Sequence, residues 1–221
     1  MFTTSAESIG RCLCALMDPT DRDEKEILGQ GCMLSDRSVL TALHVVEESL
    51  KAKAVLVNGP TGLWRASLAW SSPAADLALL RLDIQRKTDQ GLPAPQSFPT
   101  LSLDPMRLGM QVGYSALVTA LDKDEGHKYL PQCFLSGWVS RRGGGTDHPL
   151  FMLSPGYTTL SFSGAPVFFE TGELCGVLLG PDLVISKQPG ASGSRHLDEY
   201  EFLLPRISAL EPLRAKIAPH L

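Results

Sequence analysis

Three residue types that together can transfer an acyl group occur along this chain in the order His, Asp, Ser. His44 closes the apolar run Leu40-Thr41-Ala42-Leu43, Asp76 opens Asp76-Leu77-Ala78-Leu79-Leu80, and Ser163 sits in the tight phrase Ser163-Gly164-Ala165-Pro166. A serine hydroxyl attacks amides poorly unless a base removes its proton during the attack. His44 is the candidate base, and afterwards the acid that protonates the leaving amine; Asp76 would hold the Nδ1–H tautomer and stabilise the imidazolium. Taken singly, each has a plainer explanation: a serine in a tight turn, a histidine in a core, an aspartate that only opens a strand. What favours chemistry is the set, because each residue is embedded in an ordered phrase. The remaining histidines, His127, His148, His196 and His220, fall in polar loops or the tail without Cys/His spacing, so no metal or organic cofactor is expected.

Short apolar runs separated by turn clusters must position these groups, which is an all-β pattern. Strands are predicted near 10–17, 27–34, 38–42, 53–59, 64–70 and 77–83, and again near 111–119, 130–141, 149–154, 165–169, 173–180 and 200–205. A short helical turn is expected over 45–50. Six and six suggest two six-stranded antiparallel β-barrels: residues 1–84 carrying His44 and Asp76, and residues 104–206 carrying Ser163. The Gln- and Pro-rich stretch 85–103 reads as an exposed linker. After Pro205, the stripe Ile207, Leu210, Leu213 and Ile217 predicts a C-terminal helix over 207–221 packed on the barrels. A site shared between two barrels leaves an open cleft able to hold an extended polypeptide.

The phrases around these residues resemble the chymotrypsin/trypsin superfamily of serine proteases, with wording closest to its HtrA-type branch. Gly29-Gln30-Gly31-Cys32-Met33-Leu34 is similar to the strand that leads to the family's histidine, and Asp76-Leu77-Ala78-Leu79-Leu80 to the strand that carries its aspartate. Val112-Gly113-Tyr114, Ser136-Gly137-Trp138-Val139-Ser140 and Phe202-Leu203-Leu204-Pro205 resemble later strands in family order. The resemblance spans about residues 9–205. It implies a chymotrypsin-like fold and a serine endopeptidase with His44, Asp76 and Ser163 as triad and the backbone N–H groups of Ser161 and Ser163 as oxyanion hole. It also places a substrate pocket among Tyr157, Thr158, Leu179, Gly180 and Glu201. Tyr157 stands where a trypsin has its pocket-floor Asp, so a simple basic-residue pocket is not expected.

Three positions depart from the family pattern. Ser161 replaces a glycine whose freedom at positive φ turns an N–H toward the substrate. Leu43 stands where Ala usually precedes the histidine, and Ala165 replaces the second glycine of the serine turn. These departures predict a latent enzyme, with an activating protein partner or fused module completing the hole. The alternative they keep open is a catalytically silent protease-like module that holds a peptide. A serine esterase would want a Gly-x-Ser-x-Gly elbow, which the chain lacks.

Composition narrows the setting. With 221 residues, 43% hydrophobic and 20% charged, the chain is long enough for a proper core. A formal charge of −4 argues against nucleic-acid binding, which needs clustered Lys and Arg. No window approaches the ~20 apolar residues of a membrane span, and the N-terminal run lacks the pattern of a secretory signal, so neither membrane partner nor export is expected. The five cysteines are odd in number and lie in apolar runs, and Val45 stands where secreted relatives carry a cysteine. Free thiols in the cytoplasm are therefore expected.

Overall fold

The computed structural model describes residues 10–18, 27–51, 55–60, 62–83, 98–117, 120–121, 128–129, 132–142, 150–153, 162–186 and 200–221. Two closed barrels of six antiparallel strands dominate it. The first contains β1 (Leu13–Met17), β2 (Ile27–Met33), β3 (Ser38–Ala42), β4 (Val55–Gly59), β5 (Gly62–Ser72) and β6 (Leu77–Leu82). They close in the order β1-β2-β3-β6-β5-β4. β3 is buried at every position and β6 at all but Arg81, which is why both read as nearly unbroken apolar runs. Between β3 and β4, helix α1 (Leu43–Lys51) buries Val45, Val46 and Ser49 and turns Glu47 and Glu48 to solvent. It begins two residues before the predicted turn, so His44 lies inside its first turn.

The second barrel contains β7 (Gln111–Leu117), β10 (Gln132–Arg142), β11 (Leu150–Leu153), β12 (Pro166–Phe169), β13 (Leu174–Ser186) and β14 (Tyr200–Ala209). They close in the order β10-β11-β14-β13-β12-β7. A small hairpin of β8 (Ala120–Leu121) and β9 (Lys128–Tyr129), absent from the sequence expectation, stands apart as its own sheet. β1 packs against β7, and β3 against β13, so the barrels meet along the edges that carry the candidate residues.

Two expectations need correction. The described end of the predicted linker is no free tether: Leu101 is buried and bridges Leu174, with Leu174 N–H donating to Thr100 O and Ser102 N–H donating to Leu174 O. Its apolar residues outweigh its polar composition, because Phe98 and Leu101 pack into the core cluster of the first barrel. Residues 84–97 lie outside the described part. At the C-terminus, strand β14 continues to Ala209, and Ile207 pairs with Leu178 and Leu150 rather than starting a helix. Helix α2 (Arg214–Ile217) is a single turn between 3-10 turns at Glu211–Leu213 and Ala218–His220. Pro212 and Pro219 explain this, since each removes a backbone donor a longer helix would need. The apolar stripe still has its packing use: Leu210 and Ile217 are fully buried in the first-barrel cluster, and Ser38 Oγ donates to His220 O at 3.3 Å.

All five cysteines are free, four of them buried. Burial raises every thiol pKa, that of Cys12 to about 11 and those of Cys14, Cys32 and Cys175 further. Only thiolates react quickly with alkylating agents. In the native protein at pH 8, Cys12, Cys14, Cys32 and Cys175 should therefore resist iodoacetamide for hours, and all five thiols should react once the chain is denatured. Rapid native alkylation of Cys14 or Cys175, read by mass spectrometry, would contradict this packing.

Candidate active site

Asp76 follows a 3-10 turn, Pro73–Ala75, and itself adopts the left-handed conformation at φ 53°. Aspartate tolerates that region better than most side chains. The turn aims Asp76 back at the start of α1, where the first N–H groups of a helix lack partners within it. Asp76 O accepts from Leu43 N–H at 3.0 Å, and Asp76 Oδ1 accepts from His44 N–H at 2.9 Å. The second carboxylate oxygen lies 2.6 Å from His44 Nδ1. One residue thus caps the helix and holds the imidazole that the helix presents.

Electrostatics agree with this geometry. Partial burial pushes the Asp76 pKa up, but hydrogen bonds from the His44 ring and main chain, with the charges of His44 and Arg206, outweigh it and hold the carboxyl below its ordinary 3.8. The carboxylate is therefore ionised at neutral pH and can accept from Nδ1–H. The His44 side chain remains 43% exposed, open to an incoming substrate.

Ser163 is delivered from the second barrel. Phe162, buried beside Tyr114 with ring centroids 6.1 Å apart, anchors the turn on one side. Ala165 N–H then donates to Phe162 O at 3.0 Å, closing a turn in which Gly164 stands at φ 89°. Glycine is required there twice over: for the positive φ, and because a Cβ would collide with Gln30 O and Thr41 Oγ1 of the first barrel. Gly164 N–H donates inward to Leu178 O, so it cannot serve a substrate, whereas Ser163 N–H has no partner among the described residues. Gly180, at φ 85°, runs so close to the serine that a Cβ on it would stand 2.7 Å from Ser163 Oγ.

The structure therefore joins His44 to Asp76 directly and seats the Ser163 turn against the strand preceding them. A Cβ on Gly29 would meet both Ser163 O and the side chain of Val45, the residue after His44. Among the described residues no hydrogen bond yet links Ser163 Oγ to His44. Such bonds commonly tighten only when substrate binds.

The pocket residues fare differently. Gly180 borders the serine, and Leu179 is buried in the core cluster that residues of both barrels share. Gly180 pairs with Arg206 across β13 and β14, and Glu201 lies further up β14 at a bulge between Tyr200 and Phe202, on the order of 15 Å from that pair. Tyr157, Thr158 and Ser161 lie outside the described residues. Two residues escaped the sequence argument. Arg206 interrupts an apolar strand and acts on Asp76 from the other barrel. Gln30, set between two glycines, is 1% exposed at the junction of the barrels.

Two closed barrels with a His–Asp pair on one and a serine turn on the other define the chymotrypsin class of architecture. Residues 29–177 match the trypsin-like peptidase domain family, and the chain belongs to that family. Solved structures agree on the fold. A serine endoprotease from Yersinia pestis aligns with a TM-score of 0.57 at 19% identity, covering 98% of this chain and 66% of that one. This chain thus spans slightly under two thirds of the Yersinia protein. The MamO protease domain from Magnetospirillum magneticum aligns at 0.59 and 16% identity, covering 96% and 98%. Rv3671c from M. tuberculosis, in an inactive form with a serine replaced by alanine, aligns at 0.61 and 15%, covering 99% and 91%. No curated protein sequence matches.

Proposed function

We propose that this chain is a serine endopeptidase that cleaves extended protein segments through Ser163, His44 and Asp76. The observation that carries the proposal is the double engagement of Asp76, which caps α1 and grips His44 Nδ1 in one geometry. A capping role alone would leave the second carboxylate oxygen free to face water. In acylation, Ser163 Oγ bonds to the scissile carbonyl carbon while its proton passes to His44 Nε2 and then to the departing amine, as the C–N bond breaks. Water attacks the resulting ester by the reverse relay and frees the serine. The oxyanion is assigned to Ser163 N–H and Ser161 N–H. Metal ions and organic cofactors have no part in the scheme. Free, buried thiols suit a cytoplasmic setting.

Latency belongs to the same proposal. A non-glycine residue held at positive φ is strained by roughly 1–3 kcal/mol, and we propose that this strain at Ser161 keeps the oxyanion hole incomplete until substrate or a partner offsets it. Ser161→Gly should then raise kcat more than it lowers KM, because an oxyanion hole acts mainly in the transition state. An unchanged kcat would remove the latency argument.

The test of function is a cleavage profile against a mixed peptide library, with new termini mapped by mass spectrometry. Internal cleavage by the wild-type chain supports an endopeptidase. Peptides retained but uncut by both wild type and Ser161→Gly would instead make it a silent binding module.

A further inference from the structure

We infer that Gln30 is a positioning residue: it fixes the Ser163 turn of one barrel against the strand leading to His44 on the other. The inference rests on Ser163 being the nucleophile. Gln30 belongs to β2, and its hydrogen bonds reach both barrels. Its side-chain Nε2–H donates to Leu117 O at 2.7 Å, and its Oε1 accepts from Leu117 N–H at 2.7 Å, forming a two-pronged clasp on the last residue of β7 in the second barrel. Its main-chain N–H donates to Ser163 O at 2.8 Å. Its main-chain carbonyl accepts from Thr41 Oγ1 at 2.6 Å, three residues before His44.

This pattern is unlike ordinary core packing. A buried amide is tolerated only when its polar atoms are matched, and here the match is to backbone across the barrel junction rather than to its own sheet. Gly164 presses on the same carbonyl so closely that a side chain there would not fit. Ser163, Leu117 and Thr41 are thus referenced to one residue, and the distance between nucleophile and base depends on it. Where reacting groups must meet within a fraction of an ångström, a displacement near 1 Å can cost about 10²-fold in rate.

The test uses a fluorophosphonate, which phosphonylates an activated serine without any peptide specificity, and measures the limiting rate and half-saturation separately. Gln30→Met keeps the side-chain volume and strips both prongs from Leu117. Its limiting rate should fall on the order of 10²-fold, with half-saturation nearly unchanged. Gln30→Glu keeps the acceptor for Leu117 N–H but sets a second acceptor against Leu117 O in a buried site, so it should react no faster than Met. Val57→Ala, in the first barrel on β4, which pairs with β1 and β5 of the same barrel, controls for stability: it should melt earlier yet phosphonylate at the wild-type rate. The inference is overturned if folded Gln30→Met reacts as fast as wild type, or if Val57→Ala slows equally. A chain that never reacts, as wild type and as Ser161→Gly alike, would remove the nucleophile itself and the inference with it, a result distinct from either.

Discussion

Ser163→Ala should lower turnover by up to about 10⁶-fold while leaving the fold and its melting temperature unchanged. The asymmetry follows from how the serine is held. Its structural links are main-chain links, above all Ser163 O accepting from Gln30 N–H, and its Oγ makes no hydrogen bond among the described residues. Alanine keeps those links and removes only the atom that would form the acyl bond. Peptide cleavage measured beside circular dichroism and a thermal melt separates the two effects. Normal turnover in a folded Ser163→Ala would assign the chemistry elsewhere.

Asp76→Asn should lower kcat by about 10⁴-fold, again without unfolding the chain. The asparagine carbonyl can still accept from His44 N–H and so preserve the cap on α1. Its amide nitrogen then faces His44 Nδ1, where it donates instead of accepting. The imidazole must answer by carrying its proton on Nε2, and in that tautomer it cannot take one from Ser163. The pH dependence of folding provides a second readout. Because the Asp76 carboxyl is held below its ordinary pKa in the folded chain, its contribution to stability is full above about pH 4 and fades as the pH falls through the lowered value. Asp76→Asn should therefore show a shallower acid limb than wild type. A retained kcat would mean that Asp76 is only a helix cap.

Much of this arrangement was legible in the sequence because local and global preferences agree there. Asp76 before Leu77-Ala78-Leu79-Leu80 signals a turn into a strand buried on both faces, and Ser163-Gly164-Ala165-Pro166 signals a turn that only glycine can complete. The C-terminal stripe misled because spacing alone cannot distinguish a helix face from a strand followed by turns; Pro212 and Pro219 were the evidence for turns. The neighbours of Glu201 were not legible, because bulges shift the β13–β14 register at three points and composition does not reveal bulges. Gln30 was invisible for a different reason. Its importance lies in a partner 87 residues away, and a glutamine between glycines carries no local mark of that pairing.

The central claim, that Ser163 is a nucleophile activated by His44, is tested most directly by mapping the fluorophosphonate adduct. The wild-type chain is labelled at neutral pH, digested and sequenced by mass spectrometry. The account predicts one dominant adduct, on Ser163, lost in Ser163→Ala and strongly reduced in Asp76→Asn. An adduct on another residue, or none in wild type and Ser161→Gly alike, would contradict it.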